Sequence, residues 1–130
     1  MKRCLIVPLL AASLGAAAQA PAGKEASAAE GRAVTAIVEC LAPGLPEDWR
    51  QAVMVVELAR PGDETGEVRY LVTRGNSETT ESFLPCDIRK PTTMLFEVRR
   101  EQPAARRGWT GARLTIYRDG KFGLKYDYPR

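Results

Sequence analysis

The run Ala52-Val-Met-Val-Val-Glu-Leu58 is apolar at every position except Glu57, and rich in β-branched residues. Strand side chains alternate between two faces, so a run apolar on both belongs at the centre of a sheet. The rest of the chain then has to supply its neighbours. Glu67 to Thr73 alternates as one of them, with Val68, Tyr70 and Val72 turned inward, after a turn at Pro61-Gly-Asp-Glu-Thr-Gly66. Gly75-Asn76 turns the chain again, and residues 78–84 read as a weaker third strand.

The chain closes on a hairpin, Leu114-Thr-Ile-Tyr-Arg-Asp-Gly-Lys-Phe-Gly-Leu-Lys-Tyr-Asp-Tyr128. A two-residue Asp119-Gly120 loop would send Leu114 and Ile116 to one face and Phe122, Leu124 and Tyr126 to the other. A three-residue loop, Arg118-Asp119-Gly120, pairs Ile116 with Phe122 and Leu114 with Leu124, and all five share a face, as burying one side of a sheet requires. Gly120 then falls where this loop needs a left-handed residue. The three-residue loop is the predicted register.

Two helices complete the reading. Ser27-Ala-Ala-Glu30 has the form of a capping box, Val34, Ile37, Val38 and Leu41 follow the helical period, and Pro43-Gly44 stops the helix. Residues 91–102 fit either period: Met94, Phe96 and Val98 alternate, while Met94, Leu95 and Val98 share a helical face. A helix with Pro91 in its first turn, ended by Pro103, is the expectation taken forward. The predicted class is α+β: an antiparallel sheet of about five strands, a meander plus the C-terminal hairpin, with helices on one face.

The first twenty residues stand outside that fold. Lys2 and Arg3 precede a short apolar run, Cys4 to Leu14, and Ala18-Gln19-Ala20 has the form of a cleavage site. Residues 1–20 are read as an export signal and 21–130 as one domain, with no membrane anchor and an expected location in the periplasm. Loss of the signal removes Cys4 and leaves Cys40 and Cys86, two cysteines in an oxidising compartment. A Cys40–Cys86 disulfide is expected; two separately buried thiols are the alternative.

Charge and chemistry narrow the function. Residues 21–87 carry six basic and twelve acidic side chains, and residues 88–130 eleven and four. A nucleic-acid binder needs a basic patch as its dominant field, so this profile points away from one. An acidic and a basic face suit a protein partner. The chain has no histidine, which removes the commonest general base and metal ligand. No glycine-rich phosphate loop occurs and no cofactor is expected. Glu47, Asp48, Asp63 and Glu64 could form a carboxylate dyad, but paired acids in turns are ordinarily solvated, and the chain is not expected to be an enzyme.

Several short motifs occur in a characteristic order: Leu45-Pro-Glu-Asp-Trp49 leading into the strand Val53–Leu58, then Trp109-Thr110, Asp119-Gly-Lys-Phe122 and Tyr126-Asp-Tyr128. In this order the chain resembles the YezG-type antitoxin and immunity family. Its segment between Pro91 and Trp109 is shorter than that family's, and it adds an export signal to a typically cytosolic family. The resemblance implies a protein that binds and neutralises a cognate toxin, here one acting in the cell envelope. An inhibitor of lysozyme-like hydrolases and a non-inhibitory envelope protein are the other readings. Trp49, Trp109, Phe122, Tyr126 and Tyr128 are expected in the core and sheet rather than at contacts. The expected partner-binding residues are Asp63, Glu64, Glu67, Glu78 and Glu81, acidic positions in the meander that would attract a cationic enzyme.

Overall fold

A computed structural model of the protein describes residues 28–129; the export signal expected at residues 1–20 and the Ser27 half of the capping box lie outside them. The chain runs α1 (Ala28–Leu41), β1 (Trp49–Glu57), β2 (Glu67–Arg74), β3 (Thr80–Ser82), α2 (Lys90–Glu101), β4 (Gly111–Tyr117) and β5 (Phe122–Asp127), with short 3-10 turns after each helix. The strands form one antiparallel sheet in the order β3-β2-β1-β4-β5. The run apolar on both faces therefore is the central strand, hydrogen-bonded on both edges.

Alternation along β1 sorts its side chains. Met54 and Val56 face the helices, in one cluster with Val34, Ile37 and Leu41 of α1, Leu95 and Phe96 of α2, Tyr70 of β2, and Ala112, Leu114 and Ile116 of β4. Val53 and Val55 point to the opposite face, yet both are buried. Val53 lies between its cross-strand partners Leu71 and Thr115, and Val55 between Arg69 and Arg113, whose aliphatic stems are long enough to shield it.

The hairpin adopts the three-residue loop. Ile116 pairs with Phe122 and Leu114 with Leu124; the Tyr117 amide donates to Lys121 and the Gly120 amide to Tyr117. Gly120 has φ +96°, a conformation an L side chain resists. The loop also ties the sheet together. The Arg118 guanidinium donates to the Glu47 and Trp49 carbonyls and lies 5.7 Å from the centre of the Trp49 ring. The hairpin tip thus fixes the segment that leads into the central strand.

Residues 91–102 are resolved in favour of the helix, with Pro91 in the first turn, where a missing amide costs nothing. The third strand is shorter than predicted: pairing covers Thr80–Ser82 rather than 78–84. The Phe83 amide still donates to the Tyr70 carbonyl at 3.1 Å; beyond it the chain leaves the sheet and passes to the end of α1. Cys86 is bonded to Cys40, with Cα atoms 4.9 Å apart, and its amide donates to the Cys40 carbonyl at 2.7 Å. Of the aromatic residues expected inside, Trp109 is fully buried and Trp49 and Tyr126 pack against the core. Phe122 and Tyr128 are exposed, Phe122 at the start of β5 beside the hairpin turn and Tyr128 just past the strand's far end.

Candidate partner-binding surfaces

The five acidic positions do not form one surface. Asp63 and Glu64 occupy the β1–β2 turn, which docks onto the C-terminal end of α2. The Arg99 guanidinium, its side chain only 6% exposed, donates to the Gly62 and Asp63 carbonyls and stacks over the Phe96 and Trp109 rings. Arg100 donates to both carboxylate oxygens of Glu64 at 2.9 and 3.0 Å, and the Asp63 carboxylate accepts from the Arg60 amide. These two carboxylates hold a turn in place, and much of their charge is matched by arginine.

Glu67 begins β2 and faces Glu57 across the sheet. Together with Asp63 they line a shallow open recess beside the turn, so the structure brings Asp63 and Glu67 together. Glu78 and Glu81 lie elsewhere. Glu81 pairs with Val72 across the sheet, five residues along β2 from Glu67 or roughly 17 Å at strand rise. It lies 3.8 Å from Arg74, whose guanidinium also holds Asp48 at 2.8 Å. The carboxylates considered for a dyad are separated by the same geometry: Glu47 and Asp48 precede β1 and Asp63 and Glu64 follow it, roughly 30 Å apart along a nine-residue strand. Among the described residues no group of three metal-ligating side chains occurs, and no helix is long and apolar enough to cross a membrane.

A buried polar cluster, which helical periodicity alone does not disclose, joins the two helices to the edge strand. Glu30 is almost fully buried in the first turn of α1, and its carboxylate accepts from the Tyr126 hydroxyl at 2.6 Å and the Gln102 amide at 3.3 Å. Trp109 stacks between Tyr126 and Phe96, with ring centres 5.3 and 6.0 Å away. Burial, and then the hydrogen bond and charge of Glu30, push the Tyr126 phenol well above its ordinary value of 10.0. Burial also raises Tyr70, whose hydroxyl donates to the Ile88 carbonyl at 2.6 Å. A raised folded value means that the folded state keeps its proton where the unfolded chain loses it. The resulting stability is complete below pH 10.0 and is lost as pH climbs above it. Denaturant titrations between pH 8 and pH 12 should show stability falling above about pH 10, with a shallower fall in Tyr126→Phe.

Two surfaces remain open. One is the sheet face opposite the helices, where Leu71, Thr115 and Tyr117 sit among Arg69, Arg113 and Lys125. The other is the segment 83–89 between β3 and α2. It carries Leu84 and Ile88, 69% and 54% exposed, more than any other large apolar side chain among the described residues. Comparison with known proteins finds no family model that matches the chain and no curated protein that matches it.

Proposed function

We propose that this chain is an exported immunity protein that binds and neutralises a secreted antibacterial toxin acting in the periplasm. The observation that carries the reading is the Cys40–Cys86 bond, which links residues 46 apart in sequence. A disulfide persists in an oxidising compartment, and the N-terminal sequence has the form of an export signal. The ordered motifs from Leu45 to Tyr128 support toxin neutralisation through their resemblance to the YezG-type family. The protein acts by occupying a surface of its target rather than by chemistry of its own.

The test is protection in living cells. The product of the gene adjacent to this one is directed to the periplasm of a sensitive strain, with and without the full chain. Cells carrying the full chain should survive, and cells carrying a form that lacks residues 2–20 should die as fast as unprotected ones. Equal survival with the truncated form would remove the periplasmic assignment. No survival with either would remove the immunity reading.

A further inference from the structure

We propose that the disulfide-fastened segment 83–89 is the element that engages the partner. Leu84 and Ile88 enter an apolar pocket on the toxin, and carboxylates at its rim meet Arg89 and Lys90. The inference rests on the immunity reading and adds to it the surface used and the chemistry of the surface it meets.

Single exposed apolar side chains are normal on protein surfaces. What sets Leu84 and Ile88 apart is the rigidity of the backbone that carries them. The segment is tied down along its whole length. The Phe83 amide donates to the Tyr70 carbonyl at 3.1 Å, and the Cys86 amide to Cys40 at 2.7 Å. The disulfide fixes Cys86 to the last turn of α1. Gly44 packs so closely beneath Leu84 that a Cβ there would overlap the Leu84 carbonyl. The Tyr70 hydroxyl holds the Ile88 carbonyl, and the Asp87 carboxylate accepts from the Arg89 and Lys90 amides at 2.8 and 3.2 Å.

A loop held this way loses little conformational entropy on association, so its apolar contacts convert more fully into affinity. Binding energy in protein interfaces concentrates in a few well-packed anchors of this kind. Half-buried Leu45, Pro46 and Pro85 border the two anchors in sequence or across the Gly44 contact, and extend the apolar surface.

Charge identifies the other side. The Asp87 carboxylate is engaged by backbone amides, whereas the Arg89 and Lys90 side chains are exposed and have no ionic partner among the described residues. The segment presents two apolar groups beside two cations, which outnumber the one carboxylate, Asp87, that lies with them. Its complement is an apolar pocket with an acidic rim. The sign is opposite to that expected from the meander carboxylates, which are scattered or matched by arginine.

The experiment measures binding of the oxidised full-length mature chain to the purified product of the adjacent gene. Leu84→Asp with Ile88→Asp should weaken affinity on the order of a hundredfold, with an unchanged melting temperature because both side chains are exposed. Arg89→Glu with Lys90→Glu should slow association several-fold at low salt and converge on the parent at high salt. Tyr117→Ala with Lys125→Glu, on the bare sheet face, should bind as the parent does. Parent-like binding by the Leu84/Ile88 variant overturns the proposal while leaving the immunity reading intact. Loss of binding in the sheet-face variant instead moves the interface there and also overturns it. A parent chain that binds no toxin removes the immunity reading, and this inference with it.

Discussion

Replacing Cys40 and Cys86 together by serine is expected to lower stability by roughly 4 kcal/mol, the chain-entropy value for a crosslink between residues 46 apart. The loop that the bond closes contains β1, β2 and β3, so its loss frees three strands in the unfolded chain at once. In the folded state it also releases Cys86 from the end of α1, leaving segment 83–89 held by its hydrogen bonds with the Tyr70 hydroxyl and carbonyl and the carbonyl of residue 40. Urea unfolding of the parent with and without reductant, beside the double serine variant, measures the effect. The reduced parent and the variant should coincide, both well below the oxidised parent. A variant that unfolds with the oxidised parent would mean that the bond closes a loop already ordered without it.

Trp109→Ala should destabilise by about 3–5 kcal/mol, the range for a large aromatic removed from a packed core. Trp109 is fully buried and in ring contact with two elements, Phe96 of α2 and Tyr126 of β5. It also offers its face to the buried Arg99 guanidinium at 5.1 Å. Alanine would leave a cavity and deprive that cation of one of its two aromatic faces, a contact of the cation–π kind. Against the 5–15 kcal/mol typical of a domain, this is a large share. Trp109→Phe keeps an aromatic face and should recover much of the loss. Equilibrium denaturation of both variants gives the comparison, and equal stability of alanine and phenylalanine would discard the stacking argument.

Local patterns carried the architecture. The doubly apolar run could sit only at the sheet centre, and the Asp-Gly hairpin had one register that gathered Leu114, Ile116, Phe122, Leu124 and Tyr126 on one face. Pro91 marked a helix start because a proline there replaces an amide that has no partner anyway. These features are legible because the residues that decide them are neighbours in sequence.

The surface was less legible for the opposite reason. Sequence segregates acidic from basic residues, but folding lays the Arg99–Arg100 end of α2 over Asp63 and Glu64, 36 positions away. A negative patch inferred from the meander alone omits the cations that the helix brings to it. Glu30 presents the same difficulty. Its spacing suits a helix cap, whereas its burial depends on Tyr126, 96 residues further on. The third strand is short at both ends: the Thr79 amide turns back to the Ser77 hydroxyl before it, and beyond it Cys86 is bonded to Cys40 on α1, a contact 46 residues distant that no strand propensity encodes.

The sheet order has a consequence for how the chain reaches its native state. The central strand finds one neighbour locally, in β2, but its other edge waits for β4, with pairs such as Gln51 with Tyr117 and Met54 with Leu114. Those partners lie some sixty residues downstream, and the hairpin tip that fixes the Glu47–Trp49 segment comes later still. Non-local pairings of this kind slow folding, because loop closure costs entropy before any contact repays it. A chain built this way completes its core only once β4 (Gly111–Tyr117) has been made. On the export proposed above, such late closure would keep the chain competent for passage until it reaches an oxidising compartment, where a disulfide persists.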